Sequence, residues 1–277
     1  MRVDMHTHVG ASDSGEAYYG TLCGPELLAL MNDAGVDHAV AFPPLRTDGY
    51  AASNRALLAW CATTGGRVRP LARLGGDRLP IGAPELWVLR RAARARLGAW
   101  LGRGRGADFD LDPGTLPAFA GVKLLPHLDG IPAHARFDEI NGLGRPVLTH
   151  AGVYCTPKML ARAVVRRTTT PVVLAHLGAF PDREALLRDA VRLAEAEPRV
   201  YLDTSGIWIE DFLRYAVERV PGKLLWGSDC PLTPPAVAWS MLERCVDDAG
   251  LRRAIGGERA AALFGFADGT AGGRAAA

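Results

Sequence analysis

The chain has 277 residues, of which 48% are hydrophobic, and its mean hydropathy is +0.04. A chain of this size can bury a full core, and this composition is typical of a soluble globular protein. Its 32 basic and 30 acidic residues leave a formal net charge of +2, which excludes a strong field for nucleic acid or an anionic membrane. We therefore expect a small-molecule substrate as the partner, while the sequence leaves a homo-oligomer open.

The N-terminal residues lead directly into an apolar run, without the basic and apolar regions of a signal peptide. No stretch of about 18 uncharged apolar residues follows, so no transmembrane helix is expected. The cysteines are odd in number, widely spaced and free of any Cys-x-x-Cys pair: Cys23, Cys61, Cys155, Cys230 and Cys245. This spacing argues against a disulfide framework and against a thiolate zinc site. Together these features predict a cytoplasmic protein with reduced thiols.

Short apolar runs alternate with longer helical patterns along the chain, which is typical of βα units and a parallel sheet. The predicted strands are Val3–His8, His38–Phe42, Val68–Arg73, Gly121–Leu125, Pro146–His150, Val172–His176, Val200–Asp203 and Leu224–Asp229. The predicted helices are Pro25–Ala34, Ala52–Thr63, Pro84–Trp100, Thr156–Arg167, Pro181–Ala196, Trp208–Arg219 and Pro234–Ala249. Eight such units in about 250 residues have the size of one α/β (β/α)8 TIM barrel. A doubly wound open sheet is the main alternative, although no Gly-x-Gly-x-x-Gly follows the first strand.

We expect residues 1–266 to form this barrel as a single domain. Residues 102–116 are rich in glycine, aspartate and proline, and we interpret them as an excursion over one face, where they could serve as a lid. The basic stretch Arg90–Arg105 is interpreted as a solvated helix face rather than a binding patch. Residues 267–277 have no apolar period and are predicted to be disordered.

The first predicted strand carries His6 and His8, whose side chains should project together because alternate strand residues face the same way. Two imidazoles held on one strand suit a transition metal, although an isolated His-x-His is weak evidence. Further reactive residues stand at or just after later strand ends: Lys123, His127, His150, His176 and Asp229. Since the carboxyl ends of barrel strands converge on one face, the pattern predicts a metal site with an open position for a water.

Each of these residues also has a purely structural interpretation. His150 and His176 could be hydrogen-bonded core histidines, and Asp229 could cap the turn before the next helix. The remaining histidines, His38 at a strand start and His134 in a predicted loop, are interpreted as ordinary polar positions. The joint placement of the other five at strand ends favours the functional interpretation.

Six motifs follow one another along the chain. They are His-Thr-His at 6–8, Gly-Val-Lys at 121–123, Val-Leu-Thr-His-Ala-Gly at 147–152, Val-Val-Leu-Ala-His-Leu-Gly at 172–178, Tyr-Leu-Asp-Thr-Ser-Gly at 201–206 and Trp-Gly-Ser-Asp-Cys-Pro at 226–231. In this order they resemble the amidohydrolase superfamily, and within it the amidohydrolase-related branch of metal-dependent hydrolases and decarboxylases. The resemblance spans about residues 3 to 265.

The resemblance implies one divalent ion, zinc as the first choice and manganese as an alternative, bound by His6, His8, His150 and Asp229. It implies that His176 is either a further ligand or a catalytic group that polarises the substrate. Many relatives read Gly-Val-Lys-Leu-His-Pro at the fourth strand, whereas this chain has Gly-Val-Lys-Leu-Leu-Pro-His. A polar site residue is therefore missing or displaced to position 127. A second departure, Glu-Arg-Ala at 258–260 in place of a common Asn-Ala pair, should affect only packing.

We therefore expect a metal-dependent hydrolase that uses a metal-activated water on a small polar carboxylate, amide, ester or lactone. Asp229 would be the base and proton shuttle, and His176 would stabilise charge on the attacked carbonyl. Lys123, His127 and Arg46 are candidate anchors for a substrate carboxylate, although Arg46 fits an exposed loop arginine equally well. Lys123 is expected to be unmodified beside a single ion, rather than a carbamate bridging two. The alternatives are a decarboxylase or hydratase on the same metal, and a non-catalytic ligand-binding barrel.

Overall fold

Eight parallel strands, hydrogen-bonded in the order of the sequence, form the sheet of this protein. A computed structural model describes residues 1–12, 21–46, 49–76, 111 and 113–266. The strands are β1 (Val3–His8), β2 (His38–Phe42), β3 (Val68–Leu74), β4 (Gly121–Leu124), β5 (Val147–Thr149), β6 (Val172–Leu174), β7 (Val200–Asp203) and β8 (Leu224–Leu225). The predicted (β/α)8 barrel is confirmed, since this order leaves no switch point of a doubly wound sheet.

The barrel closes where residues 226–230 meet β1. Met5 N donates to the Trp226 carbonyl at 3.1 Å, and Asp229 N donates to the His6 carbonyl at 2.9 Å. His8 N then donates to the Cys230 carbonyl at 2.7 Å. These single contacts replace a continuous ladder, so β8 ends at Leu225 and not at Asp229 as predicted. The closing segment therefore brings the eighth strand end directly beside His6 and His8.

The other strand bounds agree closely with the sequence pattern. β1, β2 and β7 have the predicted ends, whereas β5 and β6 each stop before the predicted histidine. His150 and His176 therefore follow their strands instead of belonging to them. His176 has a φ of +58°, a left-handed conformation that cannot continue a strand.

Helices alternate with the strands and cover the outside of the sheet. The described helices are Gly24–Asp33, Ala51–Ala62, Pro126–Asp129, His134–Leu143, Pro157–Ala163, Glu184–Ala196, Glu210–Arg219, Pro235–Cys245, Ala249–Arg253 and Arg259–Phe264. Three of them begin with proline, whose missing N–H costs nothing in a first helical turn. Shorter helical turns lie at Pro113–Ala118, Val165–Arg167, His176–Gly178, Pro221–Lys223 and Ala254–Glu258. No described helix is long and apolar enough to cross a membrane.

The helix His134–Leu143 contradicts the expectation that His134 lies in a loop. Only Phe137 and Ile140 of this helix are buried, so its apolar stripe is too sparse to be recognised as a helical period. Four predictions fall largely or wholly outside the described residues. They concern the helix at 84–100, the basic segment at 90–105, the excursion at 102–116 and the tail at 267–277.

Buried side chains form two apolar layers. The first lies between the strands and the surrounding helices and includes Leu27, Met31 and Trp226. The second joins inward-facing strand residues such as Met5 to the helix Arg259–Phe264. Burial of this apolar surface holds the strands rigidly, so that side chains at the carboxyl ends are held in fixed positions.

Candidate metal centre at the barrel mouth

His6, His8 and Asp229 converge at the mouth of the barrel. Asp229 Oδ1 lies 3.3 Å from His6 Nε2 and 3.1 Å from His8 Nε2. The ligand atoms of a tetrahedral zinc site, with bonds of about 2.0–2.1 Å, are about 3.3 Å apart. The three side chains therefore have the donor types and the spacing of a divalent-cation site.

Backbone conformation and an aromatic contact hold this cluster in place. The pleat of β1 sends both imidazoles the same way, and the Phe42 ring contacts them edge-on at centroid distances of 5.0 Å and 4.5 Å. Asp229 has a φ of +70°, which is uncommon for a residue other than glycine. His176 shares this left-handed conformation, and such strain concentrates at functional sites.

Asp203, at the end of β7, orients the His6 ring. Its Oδ2 lies 2.8 Å from His6 Nδ1, and its Oδ1 accepts hydrogen bonds from the backbone N–H groups of His176 and Ser205. A carboxylate at Nδ1 favours the tautomer with the proton there, which leaves the Nε2 lone pair for a cation. The sequence contained Asp203 within a recognised motif, but its role was missed; its position at a strand end was the available signal.

A second pair of histidines lies beside this cluster. His176 Nδ1 is 3.0 Å from the Ser205 carbonyl, and His176 Nε2 is 3.1 Å from His150 Nδ1. A carbonyl can only accept, so a neutral His176 donates from Nδ1 and accepts at Nε2 from the Nδ1–H of His150. By this arrangement His150 Nε2 retains a lone pair. The His176 ring lies 5.1 Å from that of His6, which links the pair to the cluster.

The backbone of Gly206 lies close to the side chains of His176 and Asp229. A Cβ at this position would lie 3.2 Å from His176 Nδ1 and 3.4 Å from Asp229 Oδ2, and the residue has a φ of +59°. Both the space and the backbone conformation therefore favour glycine here. The loop after β7 approaches the two site side chains closely for this reason.

Lys123 is buried at the centre of the mouth. Its Nζ lies 3.5 Å from His6 Nε2 and 4.5 Å from the centre of the Phe42 ring. Burial lowers the pKa of Lys123 to about 8, although attraction to Asp203 and Asp229 opposes this shift. The Lys123 side chain is thus in contact with His6, a member of the candidate cation site.

A buried Arg73 lies beside Lys123 in the β3–β4 register. Its Nε and Nη2 donate to Asp129 Oδ2 at 3.1 Å and 3.0 Å, and the Tyr50 hydroxyl donates to Asp129 Oδ1 at 2.9 Å. The sequence interpretation missed this network, although Arg73 ends a predicted strand. Because Asp129 closes the short helix that carries His127, the network fixes the position of that histidine.

The protonation states in the site suit metal binding. Burial lowers the pKa of both His6 and His127 to about 4 and that of His150 well below its usual range. Burial would raise the pKa of Asp229, but attraction to His6 and the hydrogen bond from His8 lower it to about 2. Near pH 7 these imidazoles are neutral and the carboxylate is ionised, which are the forms that coordinate cations.

The two other predicted anchors lie at different distances from this centre. His127 stacks on Tyr154 and lies 4.7 Å, ring to ring, from His150. Arg46 follows β2, and its Nη1 donates to the Ala11 carbonyl at 3.1 Å, beside the segment that leaves β1. The structure thus brings His127 next to the histidine pair, while Arg46 is attached to a loop at the rim.

Comparison with known proteins adds a family and a set of similar structures. The amidohydrolase family matches residues 3–266 of the chain. No curated protein was found to match the sequence. A probable 2-pyrone-4,6-dicarboxylic acid hydrolase from Acinetobacter baumannii, solved with citric acid bound, is similar with a TM-score of 0.64 and 17% identity. That alignment covers 96% of this chain and 99% of the other.

Two decarboxylases are similar to nearly the same degree. The 5-carboxyvanillate decarboxylase from Sphingomonas paucimobilis has a TM-score of 0.60 and 15% identity. The alignment covers 95% of this chain and 98% of the decarboxylase chain. A dihydroxybenzoic acid decarboxylase from Polaromonas sp. JS666, solved with manganese and 2-nitroresorcinol, has a TM-score of 0.61 and 14% identity. It covers 95% of this chain and 96% of its own. At these identities the likeness demonstrates a shared fold.

Proposed function

Because the chain belongs to the amidohydrolase family, we propose that it is a metal-dependent hydrolase acting on a small polar carboxylate, amide, ester or lactone. The observation that carries this proposal is the convergence of His6 Nε2, His8 Nε2 and Asp229 Oδ1 at 3.1–3.3 Å in the barrel mouth. Neutral imidazoles beside an ionised carboxylate supply the charge and the donor atoms that a catalytic zinc or manganese site needs.

His6, His8 and Asp229 would hold the cation, and His150 remains the predicted fourth ligand because its Nε2 keeps a lone pair. When bound, the ion would polarise a substrate carbonyl and make a water more acidic. Asp203 supports this assignment, since it fixes the His6 tautomer from the far side of the ring. Zinc is our first choice for the ion.

The protein side chains would then divide the proton and charge movements among themselves. Asp229, ionised at neutral pH, accepts the proton of the attacking water and returns it to the leaving group. His176 would stabilise the negative charge that develops on the substrate oxygen. This role requires a proton on Nε2, in place of the hydrogen bond that Nε2 accepts from His150 without substrate. Lys123 and His127 face the same mouth and hold a substrate carboxylate, and Arg46 adds a positive charge at the rim.

Purified protein is expected to carry about one equivalent of a divalent ion, because the three-ligand cluster is formed within the folded chain. Elemental analysis measures this content directly. A chelator should remove both the ion and the activity, and added zinc or manganese should restore activity. Metal-free protein with full, chelator-insensitive turnover would contradict the assignment.

Replacing Lys123 with alanine is expected to raise the KM for an anionic substrate about 10- to 100-fold, because a charge-assisted hydrogen bond contributes about 1.5–3 kcal/mol. Metal content should stay near one equivalent, because a free ammonium does not bridge two ions. Lys158→Ala, which removes a 77% exposed lysine, is the matched control. A carbamate on Lys123 between two ions about 3.5–4 Å apart would instead identify a binuclear centre.

Non-oxidative decarboxylation on the same metal is a second candidate, favoured by the two decarboxylases of TM-score 0.60 and 0.61. One experiment separates the two functions. The metal-loaded protein is incubated with a lactone and ester panel and with an aromatic acid panel, while proton release and CO2 are followed separately. Proton release without CO2 supports the hydrolase, and CO2 from an aromatic acid supports the decarboxylase. Turnover in neither panel would leave the ligand-binding barrel as the better interpretation.

A further inference from the structure

Next to the proposed catalytic ion lies a second group of ligand-type side chains, His127, His150 and Cys155. One donor atom from each lies within 4.8 Å of the others. Cys155 Sγ is 3.6 Å from His127 Nδ1, and the His127 and His150 rings are 4.7 Å apart. No Cys-x-x-Cys pair marks this group: His127 lies in the helix Pro126–Asp129, and His150 and Cys155 lie in the loop after β5.

The backbone holds Cys155 against the two histidines. A tight turn with reciprocal hydrogen bonds between Gly152 and Cys155, at 3.1 Å and 3.2 Å, folds the loop back over the end of β5. A Cβ on Gly152 would lie 2.2 Å from the Phe180 carbonyl, so this close approach requires glycine. Thr156 then caps the next helix, with its side chain accepting from Met159 N. The thiol position is therefore determined before any ligand binds.

The spacing fits a zinc-like ion. In a tetrahedral site with a Zn–S bond of about 2.3 Å and a Zn–N bond of about 2.0–2.1 Å, sulfur and nitrogen are about 3.6 Å apart. The observed distance from Cys155 Sγ to His127 Nδ1 is 3.6 Å. Cys155 is fully buried, whereas His127 and His150 are half-buried, and the Tyr154 ring stacks on His127.

We propose that His127, His150 and Cys155 form a second metal site, selective for a thiophilic divalent cation of the zinc class. Two imidazoles and one thiolate favour such ions over magnesium or calcium, which prefer oxygen ligands. Binding displaces the thiol proton to solvent, which a coordinated cation makes favourable. The thiol now donates to the His150 carbonyl at 3.1 Å, and this hydrogen bond is given up when the ion binds.

This site goes beyond the proposed hydrolase function and does not depend on it, but an ion bound here would occupy His127, which that proposal uses as a substrate anchor. His150 is the ligand that both sites can use, through the Nε2 lone pair. The second ion therefore competes for one ligand of the first, whereas His6, His8 and Asp229 remain with the first ion. We expect the second equivalent to bind more weakly than the first for this reason.

Cobalt titration of the metal-stripped 277-residue chain tests the proposal, because Co²⁺ occupies zinc sites and reports thiolate ligation by a charge-transfer band in the near ultraviolet. The expected result is two equivalents, with the charge-transfer band growing only as the second one binds. Cys155→Ser and His127→Ala should each lose the second equivalent and the band while keeping the first. Cys61→Ala, at another buried cysteine, should retain both.

His8→Ala separates this proposal from the catalytic one, because it should weaken the first equivalent and leave the charge-transfer band. A band that persists in Cys155→Ser, or that survives in His127→Ala, would overturn the proposed ligand set. Binding of only one equivalent, without the band, would overturn the site itself. Each of these readouts is spectroscopic, so absence of turnover on any substrate panel would count against the hydrolase proposal alone.

Discussion

Asp229→Asn is expected to lower kcat by about 10²- to 10⁴-fold, which is the usual contribution of a general base. The amide keeps the shape of the side chain but cannot accept a proton from water. Asp229 Oδ1 lies within 3.3 Å of both β1 imidazoles, so the substitution also removes the negative charge that those groups share. Weaker metal binding should add to the loss.

The measurement is steady-state turnover at saturating metal, with the bound metal determined in the same samples. Asp33→Asn is the control, because it makes the same chemical change at an exposed residue of the helix Gly24–Asp33. Circular dichroism should detect no change of fold in either variant. Near-normal turnover by metal-loaded Asp229→Asn would reduce Asp229 to a structural residue of the closing turn.

Asp203→Asn is expected to weaken metal binding about 10- to 100-fold, as loss of a carboxylate behind a histidine ligand typically does. Burial would raise the pKa of Asp203, but attraction to His6 and the hydrogen bond between them hold it well below its ordinary value. The native carboxylate is therefore charged. Replacing it with a neutral amide weakens charge-assisted hydrogen bonds and should cost about 1.5–3 kcal/mol of unfolding free energy.

Competition with a chromophoric chelator measures the metal dissociation constant of Asp203→Asn, and excess metal should recover much of the lost turnover. Asp138→Asn is a suitable control because it makes the same chemical change at an exposed residue of the helix His134–Leu143. It should bind metal with nearly normal affinity. Equal affinity of the Asp203 variant and the native protein would show that Asp203 supports the fold alone.

Regular local patterns account for what could be predicted about the fold. The predicted bounds of β1, β2 and β7 agree with the observed bounds, because the residue pattern changes clearly at both ends of each of these strands. The predicted β8 is too long because residues 226–229 run beside β1 but make only single hydrogen bonds to it instead of a continuous ladder. The helix His134–Leu143 was missed because only Phe137 and Ile140 are buried in it, too few apolar residues to show a helical period in the sequence.

Some residues of the candidate site could likewise be predicted from the sequence, and others could not. His6 and His8 could be paired from sequence because two residues on one strand have a known spatial relation. The contact between His150 and His176 joins two separate loops, and no spacing in the chain encodes it. Asp203 and Arg73 act through partners far away in sequence, so residue type alone could not assign them roles. Their positions at or near strand ends were the usable signal.

The seam that closes the barrel has a consequence for how the molecule comes apart. His8 and Asp229 are 221 positions apart, yet their side chains meet where β1 hydrogen-bonds to residues 226–230. A cation held between them would act as a cross-link between the two ends of the barrel, and ligands that bind only the folded state stabilise it. Opening this seam would separate the site residues as it separates the strands. Loss of catalysis and local unfolding at this edge should therefore be a single cooperative event. The ion would stabilise the closed barrel in addition to taking part in catalysis.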